Sequence, residues 1–156
     1  MITVDDILRE KRDTRIIAIR MTETVAKATL LMKRENVSSV LVMDEVNSER
    51  GTVIGVFSER DVTRAVLEHG PATPGMMLAS FLERELICCM PGDSIVTALR
   101  LMNDHQIRHL PVMEDFALLG VLSATDLLRH FLREAELSGA SDAVLRSSTP
   151  ELAVLR

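Results

Sequence analysis

Two short segments carry the groups best able to do chemistry: Ser58-Glu59-Arg60-Asp61 and Ser123-Ala124-Thr125-Asp126. Each sets a hydroxyl three residues ahead of a carboxylate. Each also stands between an apolar run and an amphipathic one, where a helix starts. A helix N-terminus has unpaired N–H groups and a partial positive charge, which suit a phosphate. A serine beside it can donate to a phosphate oxygen, and an aspartate can accept from both hydroxyls of a ribose. The same spacing makes a capping box, which needs no ligand and stabilises by about 0.5–2 kcal/mol. The residues alone leave both uses open, and one serine can serve both.

A second constellation is Arg108-His109-Leu110-Pro111. An arginine can grip a phosphate through two parallel hydrogen bonds. Pro111 has no N–H, so its strand cannot be fully paired and leaves backbone free to face a cleft. The plain alternative is a surface arginine and a strand-edge histidine. Cys88-Cys89 offers less. Adjacent cysteines make no disulfide framework and too few ligands for a metal. Neighbours on a strand point to opposite faces, so one of the two faces the core. As a nucleophile with His109 as base, either would lack an orienting third group. The four histidines show no metal spacing, and no Gly-rich phosphate loop is present. Catalysis, a catalytic cofactor and a metal are therefore not expected.

The 156 residues are 47% apolar and 26% charged, enough for one domain or two small ones around a sizeable core. Net charge is 18 − 23 = −5, with no Lys/Arg run and no Trp or Tyr. Nucleic acid is thus not an expected partner. No run reaches the ~18 apolar residues of a membrane span. The first residues, Met1-Ile2-Thr3-Val4-Asp5-Asp6, are acidic and do not look like a signal peptide. A cytoplasmic location and no membrane partner are expected.

The positioning elements come twice. At a shift of 70, Ile16–Ile19 falls on Leu86–Cys89, Ala28 on Ala98, Leu31-Met32 on Leu101-Met102 and Val42-Met43 on Val112-Met113. Five extra residues, Asn47–Gly51, then reduce the shift to 65, and Gly55-Val56-Phe57-Ser58 falls on Gly120-Val121-Leu122-Ser123. Each unit reads as a strand (Ile16–Arg20 or Leu86–Met90) and a helix ending near Glu35 or His105. Two strands follow, Ser39–Asp44 with Thr52–Ser58, or His109–Glu114 with Leu118–Ser123. The last element is a helix, Glu59–Glu68 or Ala124–Ala135. Val25, Ala28, Leu31 and Met32 give the first helix one apolar face. Short helices precede the units at Val4–Lys11 and Met76–Glu83, and Gly70–Gly75, with two Pro and two Gly, breaks the chain between them.

This doubled β-α-β-β-α unit resembles the CBS repeat, and the pair resembles the Bateman module. Gly55–Asp61, Arg108–Val112 and Gly120–Asp126 carry the resemblance, which spans Val4 to about Ala135. The Ser-Glu-Arg-Asp version is similar to that of many small stand-alone bacterial members. The resemblance implies an α/β (α+β) fold with two repeats in pseudo-two-fold symmetry. Its expected divisions are repeat 1 at 4–69, a linker at 70–75, repeat 2 at 76–136 and a flexible or docking tail at 137–156.

It also implies an adenosine-type ligand (AMP, ADP, ATP, NAD(H) or S-adenosylmethionine) between the repeats, a homodimer and an unidentified regulated protein. It assigns phosphate and ribose to Ser58 with Asp61 and to Ser123 with Asp126, Thr125 adding a hydroxyl. Arg108 and His109, ahead of Leu110-Pro111, would reach the phosphates. Adenine would lie against Ile17, Ala18, Ile87 and Cys88. The first copy has Ser38-Ser39 in place of Arg108-His109, with Arg60 as its substitute charge. The Asp126 site is therefore expected to be the better equipped. The competing expectation is a dimerising scaffold with vestigial sites.

Overall fold

Side-chain caps start every long helix in the computed structural model, which describes residues 1–44, 52–82 and 85–139. The inserted turn Asn47–Gly51, Glu83 and the tail beyond 139 lie outside the described residues. The first half runs β1 (Ala18–Arg20), α2 (Val25–Glu35), β2 (Ser39–Met43), β3 (Val53–Ser58) and α3 (Glu59–His69), after a leading helix α1 (Val4–Glu10). The second half repeats it with α4 (Ile95–Asp104), β4 (His109–Glu114), β5 (Ala117–Ser123) and α5 (Ala124–Leu137). Thr24 caps α2 by accepting from Lys27 N–H, and Ser94 caps α4 by accepting from Thr97 N–H. The fold is the expected α+β pair of repeats.

In the first half β1 pairs parallel with β2, and β2 pairs antiparallel with β3. The second half keeps the β4–β5 hairpin, but the strand expected at Leu86–Met90 shrinks to one parallel pairing, Cys89 with Val112. Two prolines explain this. Leu41 N–H donates to Ile17 O and Met21 N–H to Met43 O in the first half. Their counterparts are Pro111 and Pro91, which have no N–H to give. Only the middle bonds survive, Cys89 N–H to Pro111 O at 3.0 Å and Met113 N–H to Cys89 O at 2.9 Å.

The leading segments cross over. Val4 and Ile7 of α1 are buried with Cys89, Ile95, Ala98, Met102, Leu110, Val112, Leu122 and Leu127, the core of the second half. Leu78 is buried with Ile19, Val25, Ala28, Met32, Val40, Val42 and Phe57, the core of the first. The helix expected at Met76–Glu83 is a single 3-10 turn, Leu78–Phe81. The Gly70–Gly75 break is also a 3-10 turn; it is fastened by buried Thr73, whose hydroxyl lies 3.0 Å from Ala65 O and 2.8 Å from Gly70 O.

Candidate functional site

Both Ser-x-x-Asp segments are capping boxes. Asp61 N–H donates to Ser58 Oγ at 3.3 Å, and Asp61 Oδ2 accepts from Ser58 N–H at 2.8 Å and from its hydroxyl at 3.0 Å. Asp126 N–H donates to Ser123 Oγ at 3.1 Å, and Asp126 Oδ2 accepts from Ser123 N–H at 2.8 Å. The two carboxylates then part ways. Among the described residues, every hydrogen bond to the Asp61 carboxylate falls on Oδ2. Asp126 is buried and ion-paired: Lys11 Nζ lies 3.0 Å from its Oδ2 and Arg129 3.8 Å from its Oδ1.

A cleft of about 920 Å³ opens between the halves. This is ample for a nucleotide-sized ligand. Ser58, Arg60 and Asp61 line it from the first half, and Ile87, Arg108, His109, Ser123 and Thr125 from the second. Glu59 N–H donates to Ser38 O, and Ala124 N–H to Arg108 O, which ties each helix start to the strand entry of its own half. Ser38 Oγ and His109 Nε2 meet across the halves at 3.3 Å. Ser38, set aside as the residue that replaces an arginine, is thus part of the cleft wall with Arg64, His105, Leu82 and Phe131. Nothing in their local spacing marks these residues.

The other expected residues lie elsewhere. Leu110 and Pro111 are buried in the second core, and Pro111 O is taken by Cys89 N–H. Among the described residues no backbone N–H donates to the carbonyl of Ile87, the counterpart of the Ile17 carbonyl that Leu41 fills. Ile17 packs on the first core, Ala18 and Cys88 are exposed, and Ser39 is in register with Ser58; none of the four lines the cleft, nor does Asp126. Of the two carboxylates, Asp61 lines the cleft and Asp126 does not.

Burial holds the His109 imidazole below its ordinary pKa; Lys11 and Arg108 add to this, and Asp126 and Asp61 oppose it. His109 therefore stands as a neutral hydrogen-bonding group at neutral pH. Burial, with Asp93 and Cys88, pushes the Cys89 thiol up to about 12, opposite to what a nucleophile needs. Among the described residues no group of His, Cys, Asp and Glu gathers as a metal site, and no helix is long and apolar enough to cross a membrane.

Comparison with known proteins agrees with this architecture. The CBS domain model matches residues 4–68 and again 78–133. The CBS domain-containing protein CBSX3, mitochondrial, of Arabidopsis thaliana is 27% identical over 85% of this chain and 66% of its own length. The CBS domain-containing protein YhcV of Bacillus subtilis is 28% identical over 77% of this chain and 81% of its own. The crystal structure of the CBS-domain containing protein ATU1752 from Agrobacterium tumefaciens superposes with a TM-score of 0.73 at 23% identity, covering 81% of this chain and 91% of that one. The CBS domain pair of protein MJ0100, solved in complex with 5-methylthioadenosine and S-adenosyl-L-methionine, gives a TM-score of 0.70 at 18% identity, over 85% and 98% of the two chains. With both halves matched by one model and the doubled fold shared with solved pairs, this chain belongs to the CBS domain family as a tandem pair.

Proposed function

We propose that this pair is a sensor of an adenosine nucleotide, which it binds in the Asp61 cleft without transforming it. CBS pairs are regulatory modules, and MJ0100, of the same fold, is a pair that holds adenosine compounds. The observation that carries the reading is the convergence of Ser58 and Asp61 with Arg108, His109, Ser123 and Thr125 on one cleft. Asp61 accepts from the ribose hydroxyls. The Ile87 carbonyl accepts from the adenine amino group, with the Ile87 and Leu82 side chains against the base. Arg108 and Arg60 face the phosphates, and Ser123 and Thr125 donate to them at the N-terminus of α5. A ligand that touches both halves favours the arrangement it fits better, by no more than its differential affinity. ATP and AMP differ in charge, so Arg60 and Arg108 set the preference, with His109 as a neutral hydrogen-bonding group beside them.

Calorimetric titration with AMP, ATP, NADH and S-adenosylmethionine tests this. A ligand at ~100 times its Kd adds about 2.7 kcal/mol of stability. No heat and no melting shift at millimolar ligand overturns it.

A scaffold reading is favoured by one observation. Leu67 of α3 and Leu128 and Leu132 of α5 are 81%, 68% and 57% exposed, beside partly exposed Val66 and Phe131. We propose that this face pairs two copies of the chain, in addition to nucleotide binding. Leu132→Glu then gives a monomer in sedimentation; an unchanged species refutes that pairing.

A further inference from the structure

The halves correspond bond by bond. Leu78 N–H donates to Glu23 O at 2.9 Å, as Val4 N–H donates to Asp93 O at 2.9 Å; Ala79 N–H donates to Met21 O at 2.9 Å, as Asp5 N–H donates to Pro91 O at 3.0 Å. The segment from residue 76 is thus the counterpart of that from residue 2. Further along, Leu82 lies over Gly55, where a methyl would sit 2.7 Å from its Cδ2, and Leu8 lies over Gly120, at 3.4 Å. Three residues on stand Glu85 and Lys11. Glu85 is exposed at the rim of the open cleft. Lys11 reaches inward: Nζ donates to Val121 O at 2.6 Å and pairs with Asp126 Oδ2 at 3.0 Å, with side chains 21% and 7% exposed. The counterparts of Val121 and Asp126 are Val56 and Asp61, both on the wall of the open cleft.

We infer that Lys11 is the built-in occupant of a second nucleotide site centred on Asp126, so that each chain takes one nucleotide, at Asp61. This rests on the nucleotide-binding reading. A ribose offers neutral donors to a carboxylate already held by a shielded ammonium. Displacing that ammonium strands a partly buried charge, which strongly disfavours entry. Leu8 over Gly120 and the Glu10 contact to Arg133 of α5 at 3.0 Å hold Lys11 in place.

The test is titration of the full chain with ATP. Wild type takes one equivalent, Asp61→Ala loses it, and Lys11→Ala gains a second binding event that Asp126→Asn removes. Two equivalents for wild type, or one for a folded Lys11→Ala, overturn the inference. Failure of every form to bind overturns the nucleotide reading instead. The plug is then judged without nucleotide, by melting Lys11→Ala, Asp126→Asn and the double variant. Non-additive shifts support the pairing, and additive shifts overturn it.

Discussion

Asp61→Ala and Asp126→Ala are the same substitution at equivalent positions, and the structure makes their effects opposite. Asp61 supplies half of a capping box, while the bond from its own N–H to Ser58 Oγ survives the change. The stability cost is about 0.5–1.5 kcal/mol. The binding cost is larger. Two ribose hydroxyls donating to a carboxylate, at about 1.5 kcal/mol each at the low end, total about 3 kcal/mol, or more than a hundredfold in Kd. Asp126→Ala instead strands Lys11, whose other described partner is a carbonyl. A broken buried pair costs about 3–5 kcal/mol; partial exposure of Lys11 brings this to about 2–3 kcal/mol, a melting drop of roughly 5–10 °C. Affinity for the nucleotide is retained. Thermal melting and calorimetry on the same two variants read both quantities. Loss of binding in Asp126→Ala with wild-type affinity in Asp61→Ala refutes the placement of the open site.

Leu78→Ala lowers stability by about 2–5 kcal/mol in urea denaturation, because Leu78 fills the core of the half that precedes it; a cost below about 1 kcal/mol refutes the crossing. His109 carries a pH signature. Its folded pKa is below its ordinary value, so the unfolded chain takes up the proton first as pH falls, and stability is lost from about pH 6.5 downward. The melting temperature of wild type therefore falls more between pH 7.5 and 5.5 than that of His109→Gln, and equal slopes refute it. At pH 8 a thiol reagent labels exposed Cys88 and spares buried Cys89 until the chain is denatured; labelling of native Cys88→Ser refutes that.

The repeat, its element order and the helix caps were legible because they are local. Each cap is a hydroxyl and a partner three residues on, as at Ser58 and Ser123. That the two segments share one cleft came from the resemblance, since the residues alone left capping and binding both open. What was hidden spans the chain. Lys11 meets Val121 across 110 residues, and no local pattern announces that a helix-ending lysine neutralises a carboxylate in the other half. The prolines were visible, but Pro111 had to be matched with Leu41, and Pro91 with Met21, before they predicted a missing strand. The expected preference for Asp126 weighed only the groups beside each carboxylate, and the Lys11 contact to Asp126 was not among them.

The crossing of the leading segments has a consequence for assembly. During synthesis the first half cannot close its core until Leu78 has emerged, beyond the Gly70–Gly75 turn, while the second finds its leading helix α1 already made. A cut within Gly70–Gly75 would leave each fragment carrying the wedge that belongs to the other. Such pieces are built to complement, as two subunits do when they exchange arms. The chain is in this sense a swapped dimer drawn as one polypeptide, and its two halves can fold together far better than apart.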